Sequence, residues 1–114
     1  MSQELVTNVR NMQLIIEAIK VEGARIEDLI QAKAETARAY DVCLATTMAR
    51  LKMEGSPTTT VEKLSKGDQQ VSASLRDKIV AEESVKAHYS RLDNLKAQMN
   101  AYQSMNRHLS TGVM

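Results

Sequence analysis

The chain has 114 residues, a formal net charge of +1, a single cysteine, three Tyr and neither Phe nor Trp. Aromatics usually carry much of the buried area of a compact core, so their scarcity argues against one, and a lone cysteine excludes an intrachain disulfide. Mixed, nearly balanced charge also excludes a globally basic nucleic-acid protein and an acidic tail.

The apolar residues are mainly Ala, Leu, Ile, Val and seven Met, with four Gly and one Pro. This composition favours long helices over sheets. Residues 1–30 carry acids and amides between their apolar positions and do not read as a signal peptide. No apolar run approaches the roughly 20 residues of a membrane span. These features lead us to expect a cytoplasmic protein with no membrane contact.

The first element is expected to be a long helix from about residue 2 to 53. Ser2 can cap it, and Glu4 suits the positive end of the helix dipole. Two apolar rows run along it at heptad spacing. One is Leu5, Met12, Ile19 and Ile26, continued by Lys33 and Tyr40. The other is Val9, Ile16, Gly23, Ile30, Ala37, Leu44 and Leu51. Rows that alternate by three and four form one stripe on a helix, and together they predict a self-association seam. Gly23 costs the helix up to ~1 kcal/mol relative to Ala, and its seam position suggests close helix approach. Lys33 reads as an edge lysine whose stem reaches water.

Glu54-Gly55-Ser56-Pro57 should end this helix, since Gly55 suits a left-handed cap and Pro57 cannot continue it. A short helix over Val61–Ser65, capped by a Thr and closed by Gly67, completes a connection spanning 54–67. Asp68 then caps a second long helix, expected over about 69–109. Its apolar positions are Val71, Leu75, Ile79, Val85, Tyr89, Leu92, Leu95, Met99, Tyr102 and Leu109. Their spacing is less regular than in the first helix, which predicts drift from a strict supercoil. Residues 110–114 read as a tail.

Two long helices with a short bent connection fold back as an antiparallel hairpin, here a single helical domain over 1–114. Leu14, Ile15, Val21 and Leu29 widen the apolar arc of the first helix beyond what one partner needs. A dimeric or higher-order helical bundle is therefore expected.

No catalytic, cofactor or metal site emerges. Cys43 has no nearby cation to activate a thiol. His88 has no co-ligand at i±3 or i±4, and His108 suits the negative end of a helix. Glu82 sits between Lys78 and Lys86 at i±4 and reads as a solvated support. A basic face from Lys86, Arg91, Lys96 and Arg107 could track phosphates, with Tyr89 and Tyr102 expected on the apolar stripe.

The order Leu51-Lys52-Met53-Glu54-Gly55-Ser56-Pro57-Thr58, then Val61 through Gly67, then a long helix with Ala87-His88-Tyr89 and Asn94-Leu95-Lys96, resembles small all-helical proteins of bacteriophage and prophage early regions. The resemblance covers about half the chain and rests on capping and turn residues, so it implies architecture and carries over no functional residue. Proteins of that group are often encoded near recombination genes. The function expected is non-enzymatic self-association and binding of a protein partner, as a recombination accessory or an inhibitor of a host system. A nucleic-acid-binding module is the alternative, and a small-molecule or nucleotide site between subunits is a third.

Overall fold

The computed structural model describes residues 3–113, with side chains described through residue 111; the Ser2 cap lies outside the described residues. Three helices follow one another: α1 over Gln3–Met53, α2 over Thr58–Lys66 and α3 over Gln69–Val113. The expected all-helical hairpin is present, with α1 packed antiparallel on α3 and the short α2 between them in sequence. The second long helix continues past its expected end at 109, and residues 110–113 are helical rather than a tail. Packing divides the chain into two compact units. One joins the N-terminal part of α1, to Ile26, with α3 from Lys86 on; the other is Glu27–Val85.

Local chemistry fixes the helix ends. Gly55 has φ +92°, the left-handed conformation that glycine adopts without strain. Its N–H donates to the Lys52 carbonyl at 3.1 Å and the Ser56 N–H to the Leu51 carbonyl at 3.0 Å. This pair of bonds satisfies carbonyls left open at the end of α1, where Arg50 and Lys52 also complement the dipole. α2 begins directly after Pro57, which holds the cap position in extended backbone with no side-chain cap bond. The expected Thr cap is therefore replaced by proline's fixed φ, and Thr58, Thr59 and Thr60 all lie inside the helix. The Thr60 hydroxyl donates back to the Pro57 carbonyl at 3.0 Å.

Asp68 caps α3 as expected, Oδ1 accepting from the N–H groups of Gln70 at 2.9 Å and Val71 at 3.2 Å. Its other oxygen accepts from Arg50 at 3.3 Å, which ties the end of α1 to the start of α3. Val61, Ser65 and Val71 are completely buried beneath this corner, with the Ser65 hydroxyl donating to the Val61 carbonyl at 2.7 Å.

The least exposed residues of α3 include an unbroken three-four series from Val71 to Leu109, through Ser74, Lys78, Ala81, Val85, His88, Leu92, Leu95, Met99, Tyr102 and Asn106. The row is thus more regular than its apolar members suggested, because polar residues occupy several of its places. Leu75, Ile79 and Tyr89, expected on the stripe, are exposed.

Replacing Asp68 with Ala removes the α3 cap and the Arg50 contact together. Urea unfolding should show a loss of ~1–2 kcal/mol, the usual range for a helix N-cap; an unchanged midpoint would assign the corner's stability to Val61 and Val71 alone.

Candidate interaction surface

The two apolar rows of α1 have different fates. Leu5, Met12, Ile19 and Ile26 are half-buried and lie on the side of α1 that meets α3. The row that completes this face lies three residues further on, not four: Asn8, Ile15, Glu22, Leu29, Thr36 and Cys43, all buried or half-buried. The expected second row is displaced onto a shoulder. Val9 is 43% exposed, Ile16 43% and Ile30 50%, while Leu44 and Leu51 are half-buried. Lys33 is exposed, as an edge lysine would be. The seam expected as one surface is in fact two, one filled within the chain and one facing outward.

The inward choice is decided by polar partners. Glu22 is 8% exposed and His88 is 1% exposed. The Glu22 carboxylate accepts from Arg91 Nε at 2.9 Å and lies 2.9 Å from His88 Nδ1, so that ring nitrogen is the donor. Arg25 stands 3.6 Å from the same carboxylate. The Arg91 hydrogen bond is the largest influence and holds the Glu22 carboxyl below the usual carboxylate range. Burial opposes it, and the His88 contact and the charges of Arg91 and Arg25 add to it. His88 also meets the Tyr89 ring edge-on, with centroids 5.2 Å apart. Nearby in the same unit, Asn11 donates to the Tyr102 hydroxyl at 3.4 Å and Asn106 lies 3.0 Å from the Met12 sulfur. In the other unit, Lys78 sits over the Tyr40 ring at 5.0 Å, so it packs rather than serving only as a solvated support.

Spacing alone missed Glu22 and His88. The signal was present: Asn8, Ile15, Glu22, Leu29, Thr36 and Cys43 recur every seven residues, as do Ala81, His88 and Leu95. A search restricted to apolar residues discards both series.

The basic residues of α3 do not share one face. Lys86, Lys96 and Arg107 fall within an arc of roughly 80° at 100° per residue, and Arg91 points about 140° away, to Glu22. His108 is exposed and lines a cleft with Gln3, Glu4 and Met105, rather than standing at a helix terminus. Cys43 is half-buried. No group of three metal-binding side chains occurs among the described residues, and no described helix is long and apolar enough to cross a membrane.

Comparison with known proteins adds no relative: no family model, curated protein or solved structure matches the chain.

Because Glu22 is held below its ordinary pKa, its contribution to stability is complete above the unfolded-state value and is lost as pH falls through the lowered folded value. Urea unfolding from pH 7 to pH 3 should show the advantage of wild type over Glu22→Gln shrinking with acid. A constant difference across that range would mean that Glu22 acts by shape rather than charge.

Proposed function

We propose that this is a non-enzymatic, self-associating helical protein, phage-derived, which works in the host cytoplasm by binding a protein partner. Recombination accessory and inhibitor of a host system are the roles that fit. The observation that carries the reading is the outward row of α1, where Val9, Ile16 and Ile30 stand exposed at heptad spacing on a regular helix. Single exposed aliphatics are ordinary, whereas a periodic row of them is the pattern by which helices pair. The interior supports the same reading. Among the described residues, the buried apolar side chains are Ile15, Val61, Val71, Ala81 and Val85, matched by as many buried polar ones. So thin a core gains from further burial by association.

Two observations weigh against the other roles. Glu22 and His88, the residues best suited to acid–base chemistry, are engaged with each other, and the Glu22 carboxylate is also held by Arg91. Arg91 is thereby diverted from any phosphate-tracking face.

The test is solution mass by light scattering, with circular dichroism for helicity. Wild type should form a dimer or larger species. Ile16→Asp combined with Ile30→Asp should give a monomer that keeps its helical signal, because both sites are exposed. Ile19→Asp with Ile26→Asp, on the inward row, should lose helicity as well. A wild-type monomer at every concentration would overturn self-association, and salt-sensitive binding to single-stranded DNA would then favour the nucleic-acid alternative.

A further inference from the structure

Gly23 lies in the outward row between Ile16 and Ile30, seven residues from each. A Cβ built on it meets nothing within 4 Å, so packing inside the hairpin gives no reason for glycine there. Mid-helix glycine weakens a helix relative to alanine, and its structural use is to let another backbone come close. On the neighbouring row of the same helix, exposed Lys20 precedes Gly23 by three residues and exposed Glu27 follows it by four. Opposite charges thus flank the glycine almost symmetrically.

That symmetry selects an orientation. Two α1 helices paired parallel and in register would set Lys20 on Lys20 and Glu27 on Glu27, and like charges at such positions destabilise. Two α1 helices paired antiparallel about Gly23 set Lys20 beside Glu27 twice and Ile16 against Ile30 twice. Gly23 then meets its own counterpart at the point of closest approach, as a twofold interface requires. The Lys20 ammonium lies 3.5 Å from Glu17 in the single chain, with both side chains about 70% exposed, a weak contact that is readily exchanged.

We propose that the partner on the outward row of α1 is a second copy of this chain, bound antiparallel and crossing at Gly23. The inference rests on the self-association reading above and adds its orientation and register.

Cysteine crosslinking tests it in a Cys43→Ser background. Chains carrying Ile16→Cys and chains carrying Ile30→Cys, distinguished by mass, are oxidised separately and as a mixture. Disulfide dimers should form in the mixture, between unlike chains. In the proposed geometry, like cysteines lie 14 residues apart along the axis, or about 21 Å, far beyond the ~7 Å that a disulfide spans between Cα atoms. Crosslinking of each chain with itself would show a parallel pair and overturn the orientation while leaving self-association intact. A wild-type dimer by light scattering with no crosslink in any sample would overturn this surface, and a wild-type monomer would overturn both readings. Independently, Lys20→Glu should raise the dimer dissociation constant about tenfold through two like-charge contacts, and adding Glu27→Lys should restore it. A double variant as weak as the single one would overturn the Lys20–Glu27 pairing.

Discussion

A carboxylate in a helix–helix seam has to be met by donors on the opposite helix, because removing it from water is costly unless it is paired. Glu22 meets that requirement through Arg91 on one oxygen and His88 on the other. Those two donors are three residues apart on α3, nearly one turn, so they reach a single carboxylate at only one axial setting of α1 against α3. Shifting the helices by a heptad would bring Ala81 or Leu95 to the place of His88, and Ser84 or Gln98 to that of Arg91, and leave the charge without a cationic partner. The aliphatic contacts of the seam could tolerate such a slip with modest loss. The polar layer is what specifies register, the best-attested role of polar residues in helix pairing.

The choice of face follows from the same layer. On α1, a row starting at Leu5 can be completed by the row three residues further on or by the row four residues further on. Burial of apolar area favours the latter, which contains Val9, Ile16 and Ile30. The structure takes the former, with Asn8, Glu22 and Thr36, because α3 offers His88 and Tyr102 on its own seam and Arg91 at its edge. Hydrophobic area is non-directional and would accept either face, whereas hydrogen bonds and ion pairs accept one.

This explains which features could be read from sequence. The Gly55 cap, the Pro57 break and the Asp68 cap are set by residues within a few positions of one another, so their types and spacing suffice. The bounds of α1 followed nearly to the residue for the same reason, whereas α2 begins three residues earlier than expected, because Pro57 rather than a threonine holds its cap position. The packing faces did not, because the identity of a buried row depends on the opposite helix and pattern-reading by hydrophobicity assigns Glu22, His88, Lys78 and Asn106 to the surface. Tyr89 fails in the opposite direction: its ring is apolar enough to suggest burial, yet the position beside His88 places it at the shoulder, 48% exposed. The end of α3 was underestimated because Ser110, Thr111 and Gly112 are weak helix formers, and the helix continues through them without a capping residue to mark a stop.

The aliphatics left on the outward row therefore call for a reason other than the fold. If hairpin formation were their only use, polar residues at 9, 16 and 30 would serve equally and would protect against unwanted association. Adjacent positions 22 and 23 condense the two demands on α1. Glu22 points inward and sets register within the chain, and Gly23, on the next position, faces open space where a close neighbour would fit. In the proposed dimer a single helical turn thus anchors both contacts, so a change in the register of α1 against α3 would also rotate or shift the surface offered to the second copy. Folding and assembly would then be coupled through that turn, and a chain paired in the wrong register would present the wrong face for association.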